Sequence, residues 1–109
     1  MASFDDREKS FEQKYKHDKE LEFKITARRN KLVGLWAAEQ FGMSGADAEA
    51  YAKAVVMSDL EKSGDEDIVG KLLGDFVAKG IEMSAHRIRR HIDEFAGEAR
   101  KQVMSEIKE

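Results

Sequence analysis

From Leu21 to Val103 apolar residues recur at helical spacing in four runs, each closed or opened by a turn signal. In the first, Leu21, Ile25, Leu32 and Trp36 share one face with Leu35 beside it, and Gly42 suits the position just past a helix end. The second opens on Ser44-Gly45-Ala46-Asp47, a variant of the capping box, and turns Ala48, Tyr51, Ala54 and Val55 inward before Ser63-Gly64. That face is built of small residues, so a neighbouring helix can approach closely. The third starts on Asp65-Glu66-Asp67, whose charges suit the positive end of a helix dipole, and buries Ile68, Val69, Leu72 and Phe76. Gly80 followed by Ile81 reads as a Schellman ending. Ser84 caps the fourth, which carries Ile88, Ile92, Phe95, Ala99 and Val103. These runs predict helices over about 20–42, 45–63, 66–79 and 84–107 and no strand: an all-α, four-helix bundle over 20–109.

The first two dozen residues break this pattern. They are dense in charge and hold no Leu, Ile or Val before Leu21. Phe4, Phe11 and Tyr15 fall within roughly 40° of one another on a helical wheel, and this stripe is rotated by roughly 70° from the Leu21–Trp36 face. Ser3 can cap a helix there, with Asp5 and Asp6 in its first turn. Three rings cannot repay the ordering of so many residues in water. Residues 1–19 are therefore expected to be a flexible segment, disordered or transiently helical alone, that becomes a helix on a partner.

Composition narrows the class. The 109 residues suffice for one domain, and 38% of them are charged. There is no proline and no cysteine, which favours helices and removes disulfides and thiolate sites. A net charge of −3 with interspersed signs argues against general nucleic-acid binding. No apolar run is long enough for a membrane span, and the N-terminus lacks the apolar core of a secretory signal. A cytoplasmic protein that does not insert into the membrane is expected.

No catalytic constellation is present. There is no Ser-His-Asp or P-loop pattern, and His17, His86 and His91 lack metal-ligand spacing. They read as solvated surface histidines, and the Asp65–Asp67 cluster as a dipole-matched helix start rather than a cation site. No enzyme, cofactor or metal is expected. Trp36 reads as core and Tyr51 as core with its hydroxyl at the rim. Arg28, Arg29 and Lys31, and Arg87, Arg89 and Arg90, form two basic clusters best explained by ion pairs within the bundle. Arg28, Arg29, Arg87 and Arg90 remain candidates for an anion or nucleotide phosphate. The first segment is the anomaly that is left. Exposed rings on a marginal helix are the apparatus of helix-in-groove recognition.

Several stretches carry a resemblance. Phe4-Asp5-Asp6-Arg7-Glu8, Phe11, His17-Asp18 and Ala27-Arg28-Arg29-Asn30-Lys31-Leu32 with Gly34-Leu35-Trp36-Ala37-Ala38-Glu39 resemble the zeta subunit family of alphaproteobacterial F-type ATP synthases. Gly45-Ala46, Glu49-Ala50-Tyr51-Ala52-Lys53, Gly64-Asp65-Glu66-Asp67 and Asp75-Phe76 match as well, and the likeness weakens after about Gly80. The resemblance implies a four-helix bundle with a mobile N-terminal segment. It implies an inhibitory regulatory subunit that works at the inner face of the plasma membrane. Its segment would insert as a helix between alpha and beta subunits of the catalytic head, reach the gamma subunit and block ATP hydrolysis. Carried over, Ser3, Phe4, Asp5, Asp6, Arg7, Glu8, Phe11, Glu12, Lys14 and Tyr15 would bind the partner. The resemblance also extends to weak adenine-nucleotide binding by some members, for which the chain shows no motif.

Two other readings stand beside it: a nucleotide- or anion-sensing bundle using the arginines, and an adaptor whose N-terminal helix docks on another complex. His17 next to Asp18, at the junction of segment and bundle, offers a site for pH sensitivity.

Overall fold

A computed structural model describes the backbone over 4–61 and 65–107, and side chains over 19–60 and 65–107. Its four helices are α1 (Phe4–Gln40), α2 (Gly45–Glu61), α3 (Asp65–Ala78) and α4 (Ala85–Ile107). The all-α, four-helix reading holds, and the expected bounds of α2, α3 and α4 lie within two residues of those observed. The backbone of α1 is one helix from Phe4, so the expected helix start near residue 20 falls inside it. The expected flexible segment, its rings included, lies outside the described side chains, as does the expected turn at Ser63-Gly64. Among the described residues no helix is long and apolar enough to cross a membrane.

The turns follow the chemistry of their glycines. Gly42 and Gly80 sit at φ 79° and 71°, where a side chain would strain the backbone. Past each, an amide returns to the helix: Met43 N–H to the Ala38 carbonyl at 2.9 Å, and Ile81 N–H to the Phe76 carbonyl at 2.9 Å. These are the bonds of the Schellman motif, and they absorb carbonyls left over at the helix ends. At the start of α4, the Ser84 hydroxyl accepts the Arg87 backbone N–H at 3.2 Å, as its capping role requires.

α1 packs between α2 and α4, and α3 closes the bundle by packing on the same two helices. The main core joins Val33, Ala37, Val55, Ile68, Val69, Leu72, Phe76, Ile88 and Ile92. A second, smaller core between α1 and the far half of α4 joins Ile25, Ala99 and Val103, with Leu21 and Leu32 against it. The inward faces expected for α3 and α4 are the observed ones, except that Phe95 is half-buried.

Two faces differ from expectation. On α1 only Ile25 of the expected stripe is buried, whereas Leu21, Leu32, Leu35 and Trp36 are half-buried. The deep seam is Asn30, Val33, Gly34, Ala37 and Ala38. Val33 and Ala37 lie about 90° and 130° round the wheel from the expected face. The reason is that α1 meets two helices, so the arc it buries is wide and the large aliphatics occupy one flank of it. On α2, Ala54 is exposed, Ala48 is half-buried, and Ala52 takes the buried place instead.

Gly34 and Ala52 mark the closest approach. A Cβ on Gly34 would stand 2.7 Å from the Ala52 Cα and 3.3 Å from the Val55 Cβ. The first is a backbone atom that cannot step aside without moving α2. Next to this seam, Tyr51 ties α2 to α3. Its hydroxyl donates to Asp75 Oδ2 at 2.6 Å, and the Lys71 ammonium reaches the same oxygen at 3.2 Å. Burial first, and the Asp75 contact second, push the Tyr51 phenol well above its ordinary value.

Gly34→Ala gains helix propensity of about 1 kcal/mol but forces α1 from α2 at a cost of about 1–3 kcal/mol. A net loss of stability in urea unfolding is expected, and a gain would contradict the close approach. Tyr51→Phe should cost about 0.5–1.5 kcal/mol at neutral pH. Because the folded-state value is raised, the Tyr51 contribution is complete below the unfolded value near 10.0 and is lost as pH climbs above it. Urea midpoints taken at pH 8 and pH 11 should therefore converge between native and Tyr51→Phe proteins, the native losing more.

Candidate functional site

The residues expected to bind a partner cluster at the start of α1. Ser3 precedes the described residues. Phe4, Asp5, Asp6, Arg7, Glu8, Phe11, Glu12, Lys14 and Tyr15 belong to α1 by backbone, and their side chains lie outside those described. His17, offered for pH sensitivity, lies there too. What the structure does describe is the trunk to which that stretch is joined. Leu21 is the first described apolar residue of α1 to rest on the bundle, and the seam deepens through Ile25 to Ala38.

Polar contacts fix the trunk in register. Arg28 reaches across to the end of α4: Nη1 donates to Gln102 Oε1 at 2.9 Å, and Nη2 lies 2.8 Å from Glu106 Oε1. Arg29 points the other way, with Nη2 donating to Asp65 Oδ1 at 2.8 Å and to Asn30 Oδ1 at 2.9 Å. Asn30, 1% exposed, passes the connection to α2 through Nδ2, which donates to Asp59 Oδ2 at 2.9 Å. One chain of hydrogen bonds thus links α3, α1 and α2. A buried amide is tolerated here because both its ends are used. Sequence reading did not single out Asn30. Its only local signal is a polar residue three positions before Val33 on the inward side, and its acceptor lies 29 residues away.

The candidates for an anion site do not converge. Arg28 and Arg29 are engaged by bundle acids, as the ion-pair reading expected. Arg87 and Arg90 sit in the first turns of α4, about 24–28 Å along its axis from Glu106. Arg90 Nε is only loosely held, 3.8 Å from Glu94. Arg89 pairs instead with Glu66 through two nearly parallel bonds of 3.1 and 2.9 Å. Hydrogen bonding to Arg89, then its charge, holds the Glu66 carboxyl below its ordinary range. Asp65 and Glu66 are therefore both engaged by arginines at the start of α3. Among the described residues no group of three or more His, Asp or Glu side chains is placed to hold a metal.

Trp36 and His91 were expected in the core and on the open surface respectively, and the structure puts both at the rim. Their rings stack at 4.1 Å with 26° between planes, while Trp36 also meets Phe76 at 5.6 Å. One face of the half-buried indole lies against the His91 ring. His91 covers part of that face, with its Nδ1 3.8 Å from Glu94. His86 is exposed, as expected.

Comparison with known proteins extends the resemblance. The family model for ATPase inhibitor subunit zeta matches residues 1–102, which takes in the first stretch of α1 as well as the bundle. A protein solved by solution NMR is 42% identical, with a TM-score of 0.70, over 80% of this chain and 99% of that one. No curated protein matches the chain.

Proposed function

The chain belongs to the ATPase inhibitor subunit zeta family, and on that premise we propose that it restrains ATP hydrolysis by an F-type ATP synthase through its N-terminal segment. Residues 1–19 enter as a helix at an interface between alpha and beta subunits of the catalytic head, reach the gamma subunit and obstruct rotation in the hydrolytic direction. The observation that carries this reading is that α1 runs without a break from Phe4 into a trunk gripped by two other helices. A helix over 4–20 reaches about 25 Å ahead of Leu21, enough to enter a subunit interface while the bundle stays outside it. The division of labour is physical. Phe4, Phe11 and Tyr15 supply apolar area. Asp5, Asp6, Arg7, Glu8, Glu12 and Lys14 set register and speed encounter more than they add affinity. Ordering the segment offsets part of the gain. The protein acts as a regulator and not as a catalyst in this reading.

Removal of residues 1–19 should leave the helical circular dichroism and the Trp36 emission of the bundle in place and abolish inhibition of ATP hydrolysis by the isolated catalytic head. Full inhibition by the shortened chain would end the proposal. Phe11→Ala, in the intact chain, should raise the inhibitory concentration roughly tenfold to a hundredfold, the equivalent of about 1.5–3 kcal/mol.

A further inference from the structure

Beyond the N-terminal segment, the bundle carries a surface that its own fold does not use. A cleft of about 410 Å³ between α1 and α2 and another of about 510 Å³ extending to the end of α4 share Lys31 and Val56, so the two form one shelf along the outer side of α1. Its floor is apolar, with Ala27, Ala50 and Val56, and Phe23 stands at one end 58% exposed. Around it stand Lys24, Lys31 and Lys53, all exposed. Among the described residues none of the three has a carboxylate within 4.0 Å; Lys79, Arg87, Arg100 and Lys101 share that property but do not line the shelf, whereas Arg28, Arg29, Lys71, Arg89 and Arg90 each hold one. Of the acids at its margin, Glu106 is taken by Arg28, and Glu49 lies one turn before Lys53 without reaching it.

We propose that this shelf is a second docking surface for the catalytic head, and that it receives an amphipathic, carboxylate-bearing segment of one of the head's subunits. The proposal rests on the inhibitor reading above. Three arguments select this occupant. Cations without a carboxylate partner among the described residues, on a protein of net charge −3, are complementary to acids supplied from outside. The apolar floor and an exposed phenylalanine call for side chains as well as charge, which a free anion does not bring. The shelf also begins at Phe23, on the same helix and directly after the segment that would enter the head, so both contacts can be made at once. Two linked contacts raise the effective concentration of each, which lets a segment with a thin apolar face bind firmly.

The test uses the full chain and the isolated catalytic head. The triple variant Lys24→Glu, Lys31→Glu, Lys53→Glu should keep its helical circular dichroism and raise the inhibitory concentration about tenfold at low salt, a gap that narrows as salt is added. Carbodiimide coupling of the unaltered chain to the head should join Lys24, Lys31 or Lys53 to a carboxylate of a head subunit. Equal inhibition by variant and unaltered chain at low salt overturns the docking surface and leaves the inhibitor reading standing. So does coupling confined to other lysines. Failure of the unaltered chain to inhibit at all overturns the inhibitor reading, and the docking surface falls with it.

Discussion

The near-contact of Gly34 with Ala52 is the constraint on which the other packing depends. Two helices can approach this closely only where side chains are absent or reduced to a methyl group. Once α1 and α2 are so close, Val33 and Ala37 reach the layer that Val55, Leu72 and Phe76 occupy, and Asn30 comes within hydrogen-bond reach of Asp59. A wider spacing would leave the Asn30 amide buried with one end unsatisfied, which costs on the order of 1–3 kcal/mol. Close approach and amide pairing thus select the same register between α1 and α2.

Charge has a complementary role. A chain with 38% charged residues and few large aliphatics has to place its cations with care. Arg28, Arg29 and Arg89 each bridge two helices, and the acids they meet stand at helix ends: Glu106 in the last turn of α4, Asp65 and Glu66 in the first turn of α3. Pairs as exposed as these add little stability individually. The two made by α1 mark where α4 ends and α3 begins relative to it, and Arg29 and Asn30 join that boundary to the interior.

Much of this was legible before any coordinates. α3 and α4 each present a single face to the bundle, so period alone identified Ile68, Val69, Leu72, Phe76, Ile88, Ile92, Ala99 and Val103 as inward. The turn residues Gly42, Gly80 and Ser84 announced themselves because each is demanded by a local backbone geometry. α1 was harder to read. A helix held by two neighbours buries more than one stripe, and where it comes closest it uses Gly34, Ala37 and Ala38, residues that a search for large aliphatics passes over. Asn30 was invisible for a different reason: its partners are set by tertiary structure. Lys31 was read as ion-paired within the bundle, and the shelf it forms with Lys24 and Lys53 escaped notice, because the absence of a partner among the described residues is a property of three dimensions. The segment expected to bind a partner stood out by its composition and family likeness, and its side chains lie outside those described.

The two separate cores along α1 have a mechanical meaning. One joins it to α2 and the near half of α4 around Val33 and Ala37, with α3 filling the layer between, and the other joins it to the far half of α4 around Ile25. A pull or push along the axis of α1 therefore loads both seams side by side, in shear, instead of peeling one open before the next. A helix held in this way behaves as the shaft of a wedge: force met at its tip is delivered to the whole bundle at once.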